Sequence, residues 1–472
     1  MKSSLIKLTI TFGLLITSIT TFAQSDWSSA CYSSSRTSFA EQEKELKPPL
    51  ELEEIIPEYA YDFVAKNNVL YITVDGDPCY IKAYDLNKKE ILWKFDIPNS
   101  LYAVGCIPAV SDTMLFAGAQ KGDGLFAIDI RTGKQKWLKP IGNIFGRNPV
   151  LDNYGHVFII KDSLYCLDAN TGETVWTFDA AGQITPSVKN DTLFVTHFDA
   201  AEIINKISAI NCNTGKVIWT TNVPYGITAQ LPVDNKCVYY SDSHMACAYD
   251  IKTGIEKWRN ILPGEYVPIS IYNPGNSCLT DSVLSISLVT TDVDDNMIVG
   301  INKFTGETLW KSLSGRYMHC PVAANGIIYI VPFYDTALIA LNHTTGAVVF
   351  RDDSNSFDGS FIIANHKLYA TSQYNKIKVM RTQTTSADNI TDGTATIEVY
   401  PNPVSEIVNI RLGKKSGNAK YLLFNLTGQL LEQRELESTD VKIDMTGYSG
   451  GSYILKISSN EQPMQSFKII KR

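Results

Sequence analysis

The chain has few of the features that mark membrane-bound or nucleic-acid-binding proteins. Its 42 basic and 49 acidic residues are intermixed, its net charge is −7, and no long run carries one sign. A nucleic-acid-binding surface concentrates positive charge, so we predict no nucleic-acid partner. Outside residues 8–19 no apolar run approaches the roughly 20 residues that span a bilayer, so the sequence predicts no transmembrane segment.

Sequence motifs of the common catalytic classes are also missing. The chain contains no nucleophile elbow, Walker loop or dinucleotide-binding glycine pattern. Its six histidines are scattered without the spacing of zinc ligands. The acidic cluster at 292–296 lacks the glycine and distal glutamate of an EF-hand loop, and we interpret it as a solvated hairpin tip. We therefore expect no metal, no cofactor and no catalytic residues.

The first 23 residues have the features of a signal peptide. Lys2 and Lys7 precede the apolar run, and Thr21-Phe22-Ala23 fits a small-residue cleavage site. The first cysteine, Cys31, follows a polar stretch, so a lipid anchor on that residue is not expected. We predict an exported protein whose mature chain begins near Gln24.

Nine cysteines lie in the predicted mature chain, and this odd number leaves at least one of them unpaired within the chain. Cys237 and Cys247 could face each other across one hairpin, although spacing alone does not establish a disulfide. Small, buried, reduced side chains are the other interpretation for most of the cysteines. The sequence leaves the connectivity open.

One motif, Ala-x-Asp-x-x-Thr-Gly-x-x-x-Trp, recurs along the chain. Its copies, which vary at some positions, span 83–93, 127–137, 166–176, 209–219, 248–258, 300–310 and 340–350. The closing aromatic residues are 44, 39, 43, 39, 52 and 40 residues apart, close to the roughly 40–45 residues of a four-stranded propeller blade. The sequence therefore predicts an all-β fold with a β-propeller over residues 59–381.

The motif residues are expected to build the blades and to carry no chemistry. The apolar residues around the Asp form a strand covered on both faces, Thr-Gly makes a tight turn, and the aromatic residue begins the outer strand. Its large apolar area suits the seam between neighbouring blades. The predicted blade-docking residues are Trp93, Trp137, Trp176, Trp219, Trp258, Trp310 and Phe350.

Residues 24–58 form an N-terminal arm whose Ser- and Glu-rich composition predicts an extended or partly disordered segment. After Phe350, the last predicted strands lack the Thr-Gly-Trp strand that completes a blade. A strand from the arm, over residues 50–56, could supply it and close the ring without an open sheet edge. We favour eight blades, with seven as the alternative.

Several predicted inner strands carry polar or aromatic residues shortly before a proline. Around a ring, these side chains would form a collar at one mouth of the central channel, suited to a glycan, a peptide or a protein loop. The alternative is that they only fill the channel. The predicted collar residues are Phe145, Arg147, Gln183, Gln230, Tyr266, Tyr317, His319 and Phe357.

The composition changes after the propeller. Residues 382–396 form a polar linker that is rich in threonine and contains aspartate and glycine. Residues 397–472 contain short alternating strands separated by turn residues. This pattern predicts a second domain, a small Ig-like β-sandwich.

The repeats resemble those of the pyrroloquinoline-quinone-type, or quinoprotein-like, β-propellers over Tyr59–Thr382. That family includes quinone-dependent dehydrogenases and non-catalytic scaffolds. Its dehydrogenases have adjacent cysteines, a tryptophan that stacks on the quinone, a calcium site and an aspartate base. This chain has no Cys-Cys pair and uses six of its seven tryptophans in the motif. The resemblance favours a non-catalytic binding or scaffold module for glycan, peptide or protein; the alternative is a quinone-dependent or other propeller enzyme acting on sugars or alcohols.

Motifs in the last 76 residues resemble the C-terminal sorting domain of the type IX secretion system of Bacteroidota-like bacteria. They are Tyr400–Pro403, Phe424–Gly428, Asp444–Lys456 and Lys468–Arg472. The resemblance implies that the type IX machinery carries the chain across the outer membrane and that the sorting domain is then removed. The protein would be released or attached to surface lipopolysaccharide, so we expect it at the cell surface or outside the cell. The sorting-signal residues are Pro401, Asn402, Pro403, Gly428, Asp444, Gly450, Gly451, Lys471 and Arg472.

Overall fold

The structure, a computed structural model, divides into two compact units, Met1–Thr384 and Thr385–Arg472. It describes residues 26–100, 107–144, 146–180, 185–224, 230–242, 244–262, 266–267, 277–290, 297–313, 320–332, 336–372, 376–383, 397–412, 420–425, 429–436, 438–459 and 462–472. The predicted signal peptide, the acidic cluster at 292–296 and most of the predicted linker lie outside these ranges. Within them all regular structure is β-strand, and no helix is long and apolar enough to cross a membrane.

The described residues of the first unit form eight separate antiparallel sheets that follow one another along the chain. Strand β1 (Leu50–Tyr59) comes first in the sequence. The first sheet contains β2 (Asp62–Lys66), β3 (Val69–Val74), β4 (Tyr80–Asp85) and β5 (Glu90–Asp96). The second contains β6 (Ala109–Val110), β7 (Met114–Ala117), β8 (Leu125–Asp129) and β9 (Gln135–Lys139).

The next three sheets repeat this pattern of sequential neighbours. The third contains β10 (Val150–Leu151), β11 (His156–Ile160), β12 (Leu164–Asp168) and β13 (Thr174–Phe178). The fourth contains β14 (Ser187–Lys189), β15 (Thr192–Asp199), β16 (Ile204–Asn211) and β17 (Val217–Val223). The fifth contains β18 (Cys237–Ser241), β19 (Met245–Asp250) and β20 (Glu256–Ile261), with Val233 bridged to Val238 ahead of it.

The last three sheets include the one that joins the two ends of the first unit. The sixth contains β21 (Tyr266–Val267), β22 (Ser277–Leu279), β23 (Val283–Thr290), β24 (Met297–Asn302) and β25 (Thr308–Leu313). The seventh contains β26 (Val322–Ala324), β27 (Ile327–Ile330), β28 (Leu338–Asn342) and β29 (Val348–Asp352). The eighth contains β30 (Phe357–Ala364), β31 (Lys367–Ser372) and β32 (Lys376–Thr382), and β1 pairs with β32 as its fourth strand.

The motif makes each outer hairpin through one carboxylate or amide and one glycine. In the second sheet, Asp129 Oδ1 accepts hydrogen bonds from the backbone N–H of Arg131 and Thr132, at 3.1 and 2.9 Å. The Thr132 hydroxyl also donates to this oxygen, and this bond is the main reason that the pKa of Asp129 falls to about 2. Gly133 follows with φ +67°, a conformation that glycine adopts without steric cost.

Each motif tryptophan packs against the hairpin of the following sheet. The Trp219 indole N–H donates to the carbonyl of Ile251 at 3.0 Å, and a Cβ built on Gly254 would lie 2.5 Å from Cε3 of its ring. The ring therefore occupies the space that only glycine leaves open. The same pair of contacts joins Trp93 to Ile130 and Gly133, Trp137 to Ala169 and Gly172, Trp176 to Cys212 and Gly215, Trp258 to Lys303 and Gly306, and Trp310 to His343 and Gly346.

The seams on the two sides of the eighth sheet, to which β1 belongs, differ from the others. At the seam between the seventh and eighth sheets, Phe350 replaces tryptophan and has no Thr-Gly hairpin ahead of it, because the outer strand β1 of the eighth sheet comes from the opposite end of the unit. At the seam between the eighth and first sheets, β1 carries no motif tryptophan, and ion pairs join it to the first sheet: Lys82 contacts Glu58 and Lys89 contacts Glu54.

The second unit contains two sheets with one shared apolar core. One sheet has the order β33-β34-β37, formed by β33 (Ile397–Tyr400), β34 (Ile407–Leu412) and β37 (Asp440–Asp444). The other has the order β36-β35-β38-β39, formed by β35 (Lys420–Asn425), β36 (Leu430–Glu435), β38 (Gly451–Ser459) and β39 (Gln462–Lys471). Alternate residues of β34 and β35 face the core.

Candidate functional site

Residues 26–46, here called the N-terminal segment, run across the first strands of most sheets. Trp27 and Ala65 exchange two backbone hydrogen bonds of 2.8 Å in the first sheet. Farther along, carbonyl oxygens of the segment accept from inner-strand N–H groups of other sheets. These pairs are Ser28 with Val110, Ser34 with Val188, Ser35 with Val233, Thr37 with Leu279 and Ser38 with Ala323. The arm was predicted to be extended or partly disordered; over these residues backbone hydrogen bonds hold it in place against the sheets.

Arg36 lies at the centre of the N-terminal segment and is fully buried. Its Nε donates to the carbonyl of Pro186 at 3.3 Å, and its Nη1 donates to that of Ala30 at 3.1 Å. Burial lowers the pKa of the guanidinium, since the charged form loses its hydration. The residue thus ties the segment to the fourth sheet from inside the molecule.

The predicted collar residues do not all face solvent. Gln230 is 1% exposed; its Nε2 donates to the carbonyls of Arg36 and Ser277 at 3.2 and 2.6 Å. Phe357 is fully buried in the core around the eighth sheet, and Arg147 is partly buried. With the N-terminal segment in place, neither Gln230 nor Phe357 is open to an external ligand. Phe145, Gln183, Tyr317 and His319 lie outside the described residues, as does the side chain of Tyr266.

A small cavity of about 40 Å³ lies beneath the N-terminal segment. Trp27, Cys31, Asp62, Cys320 and Ser360 are among the residues that line it. The Ser360 hydroxyl donates to Asp62, yet burial dominates and raises the pKa of this carboxyl to about 6. The cavity therefore holds an acid that folding makes harder to ionise.

Asp62 is expected to weaken the fold as the pH rises. The unfolded chain loses this proton near pH 3.8, whereas the folded protein keeps it until about pH 6, so stability falls between these values. Asp62→Asn should raise the free energy of unfolding by about 3 kcal/mol at pH 7.5 and leave it unchanged near pH 3.5. Urea unfolding of both proteins at each pH measures this difference. A pH-independent difference would contradict the assignment.

A groove of about 430 Å³ lies between the fifth and sixth sheets, here called the lysine groove. Phe304, at the tip of the β24–β25 hairpin, is 57% exposed. Lys303 and Lys236 lie over its ring, 5.4 and 5.9 Å from the centroid. The groove is lined by Asn235, Lys236, Cys237, Tyr239, Asp250, Ile251, Lys252, Lys257, Trp258, Lys303 and Phe304.

The charge of the lysine groove is positive. Two of its four lysines are paired: Lys257 with Asp250 and Lys303 with Asp234, each at 3.0 Å. The Lys257 ammonium holds the pKa of Asp250 below its usual range. Among the described residues, Lys236 and Lys252 add two exposed charges without a carboxylate partner. An anion with a flat or apolar body fits this combination of ammonium groups and an exposed ring.

The repeat at 300–310 differs from the other repeats at two adjacent positions, and this difference is the sequence feature that could have indicated the groove. At the position of Lys303 the earlier hairpins carry Leu86, Ile130, Ala169, Cys212 and Ile251. At the position of Phe304 the other hairpins carry Asn87, Arg131, Asn170, Asn213, Lys252 and Thr344. A buried cation and an exposed ring therefore replace an apolar and a polar residue at adjacent positions.

The described cysteines and acidic groups offer no further site of the expected kinds. Strand β18 pairs with β19 so that Cys237 faces Asp250 and Cys247 faces Tyr240. The suggested opposition of Cys237 and Cys247 is wrong, because the turn places Ser241 opposite Ala246. In the described ranges no group of three or more His, Cys, Asp and Glu side chains is arranged to hold a metal ion.

In the second unit the first and last sorting motifs lie side by side. Asn402 Oδ1 accepts from the N–H of Ile470 at 2.8 Å, and the N–H of Arg472 donates to the carbonyl of Val404 at 2.9 Å. Pro401 and Pro403 flank this asparagine. Asp444 bonds to Thr446, Gly450 precedes β38, Gly451 pairs with Lys471, and Gly428 lies outside the described residues.

Two family models match the chain. Residues 58–143 and 160–288 match the model described as outer membrane protein assembly factor BamB, of the pyrroloquinoline-quinone repeat type. Residues 398–472 match the secretion system C-terminal sorting domain. The two matches confirm both resemblances that the sequence motifs indicated.

Two curated proteins with assigned enzymatic activities resemble the chain at about one quarter sequence identity. A tetrathionate hydrolase from Acidithiobacillus ferrooxidans is 25% identical over 340 residues, which are 70% of this chain and 60% of the relative. An ulvan lyase from Nonlabens ulvanivorans is 24% identical over 229 residues, 46% of this chain and 40% of the relative. The chain thus spans about half the length of these relatives.

Solved structures resemble the chain in fold at low sequence identity. The quinohemoprotein alcohol dehydrogenase of Comamonas testosteroni superposes with a TM-score of 0.61 at 11% identity, covering 81% of this chain and 83% of that one. At this identity the likeness shows a propeller fold alone. The chain therefore combines β-propeller repeats of the pyrroloquinoline-quinone type with a type IX secretion C-terminal sorting domain.

Proposed function

We propose that the protein is a non-catalytic binding module, exported by the type IX route, that holds an anionic ligand of the glycan, peptide or protein class. In this proposal residues 1–23 are the signal peptide, 24–58 the arm, 59–381 an eight-bladed propeller and 382–396 the linker. Residues 397–472 are an Ig-like sorting domain that is removed before the protein is released or attached to surface lipopolysaccharide. The pairing of β1 with β32 supports eight blades, since it completes the eighth sheet.

The non-catalytic role is proposed because every tryptophan side chain is packed against other parts of the protein. The six motif tryptophans each donate their N–H to a neighbouring hairpin and pack on its glycine. Trp27 is 3% exposed and lies edge-on to Tyr32 at 5.3 Å between centroids. An indole engaged in this way has no free face for a quinone, and the N-terminal segment occupies the inner strands where the collar was expected.

The lysine groove supports ligand binding at the rim between two sheets. Its volume lies in the range of small-ligand sites, and it joins exposed cations to an exposed aromatic ring. Opposite charge on a ligand would be attracted before contact and then held by Lys236 and Lys252. We therefore assign the ligand site to this groove and not to the predicted collar.

Loss of the groove's special residues is expected to lower ligand affinity at least tenfold. Arrays of acidic and neutral glycans and peptides would be probed with the purified protein, with Lys236→Ala and with Phe304→Asn, the residue found at this hairpin position in three other repeats. Both side chains are exposed, so the free energy of unfolding should stay within about 0.5 kcal/mol. Arg131→Ala, at the tip of another hairpin, is the matched control. Binding that is absent, indifferent to ligand charge, or lost equally in the control would refute the proposal.

The second candidate is a propeller enzyme, favoured by the names of the relatives. One relative is called a hydrolase and another a lyase, and a structural neighbour is called an alcohol dehydrogenase. The candidates separate on turnover of tetrathionate, ulvan or an alcohol, with and without added quinone and calcium. Product formation, or a spectral change on adding quinone, would favour the enzyme.

A further inference from the structure

Three cysteines meet where the N-terminal segment crosses the sixth and seventh sheets. Cys31 belongs to the segment, Cys278 to β22, and Cys320 directly precedes the seventh sheet. The Cys278 thiol donates to the carbonyl of Ser38 at 3.3 Å, and the Ser38 hydroxyl lies 3.3 Å from the Cys320 sulfur. The Ser38 N–H in turn donates to the carbonyl of Cys31 at 3.0 Å. Ser38 therefore holds all three cysteines around one point.

Within this group Cys31 and Cys320 both line the small cavity beneath the N-terminal segment. Both are free thiols in the structure; they hydrogen-bond to each other, and the Cys31 thiol also donates to Gln230 Oε1 at 2.8 Å. The bond to Cys320, helped by the Arg36 guanidinium, lowers the pKa of Cys31 to about 7, whereas burial raises the pKa of the Cys278 thiol. Cys31 is thus the nucleophile of the group and Cys320 the neighbour that it can reach.

We propose that Cys31 and Cys320 form a disulfide in the exported protein, which locks the N-terminal segment across the inner strands of the propeller. Export places the chain where disulfides form and persist. Both thiols are nearly buried, so the bond would form as the segment docks and would then be shielded from reductants. Cys278 remains a thiol.

The oxidation needs a disulfide partner, from an oxidoreductase or a small molecule. The Cys31 thiolate attacks one sulfur of that partner and expels its first thiolate, which leaves a mixed disulfide. The Cys320 thiolate then attacks the Cys31 sulfur and expels the second thiolate. The two cysteines lose two protons and two electrons, and the partner becomes two thiols.

The bond is expected to stabilise the fold because it joins chain regions far apart in sequence. Ser38 and Cys320, whose contact lies beside it, are 282 residues apart. Closing so long a loop restricts the unfolded chain, so removing the bond should lower Tm by about 5–10 °C.

The test uses full-length protein secreted into an oxidising compartment, unfolded in urea with an alkylating agent. Of nine cysteines, the two in the bond should resist alkylation until reductant is added, and a non-reducing digest should yield one peptide pair that contains Cys31 and Cys320. Alkylation of all nine without reductant, or a bond to another cysteine, would overturn the proposal. The digest of the wild-type protein gives this answer even if a variant fails to fold.

Substitutions separate the bond from the packing of its side chains. Cys31→Ser and Cys320→Ser should each lower Tm and abolish the linked peptide, and added reductant should lower the Tm of the wild-type protein but not that of either variant. Cys278→Ser, a buried cysteine of the same cluster, is the matched control and should keep the linked peptide. Equal sensitivity of wild-type and Cys31→Ser proteins to reductant would count against the bond.

Discussion

Replacing Gly254 with alanine is expected to cost the protein about 3–5 kcal/mol of its free energy of unfolding. The new Cβ would lie 2.5 Å from Cε3 of Trp219, well inside van der Waals contact, so the ring must move. Moving it breaks the 3.0 Å hydrogen bond from the indole to Ile251 and opens the seam between the fourth and fifth sheets. Overpacking and a lost buried hydrogen bond together account for a loss of this size.

Gly155 supplies the control for this substitution. It also has a left-handed backbone, with φ +90°, but a Cβ there would meet nothing within 4 Å. Gly155→Ala therefore measures the backbone strain alone, about 1–2 kcal/mol. Equilibrium urea unfolding of the two variants gives the difference. Equal losses would show that the tryptophan contact adds nothing to the strain of the turn.

Trp27→Ala is expected to destabilise the protein by about 3–5 kcal/mol and to loosen the N-terminal segment. The side chain is 3% exposed and belongs to the core around the first and eighth sheets. Removing it leaves a large cavity at the point where the segment is first anchored. Hydrogen exchange should then quicken at the amides that donate to the segment. These amides belong to Val110, Val188, Val233 and Leu279.

Tyr154→Ala is the matched control, since this aromatic side chain is 54% exposed. Its loss should change the unfolding free energy by less than about 0.5 kcal/mol and leave the four amides unchanged. If Trp27→Ala lowers stability without faster exchange at these amides, the segment does not depend on this anchor.

The repeated part of the fold could be predicted because each copy makes the same local contacts. Asp129, Thr132 and Gly133 build a turn from contacts between neighbouring residues. A turn of this kind can be recognised from the residue types alone. The aromatic residue eight positions after the Asp recurs for the same reason. The prediction of an all-β propeller rested on such spacing.

The N-terminal segment could not be predicted in the same way. Its contacts with the sheets use backbone carbonyls, which every residue has, so serine-rich composition gave no sign of them. Gln230 illustrates the consequence, because the sequence places it near the channel without revealing that Arg36 covers it. The lysine groove was missed because Lys303 and Phe304 lie inside a motif copy that was taken as structural.

The pairing of β1 with β32 determines when the first unit can be completed. Arg381 of β32 bonds to Glu51 of β1, which lies 330 residues earlier in the chain. The first strand of this unit to be synthesised therefore pairs with its last strand. Contacts of such long range form late, because the chain must first close the loop between them. Until then the eighth sheet has no fourth strand, and the growing polypeptide lacks a finished native state.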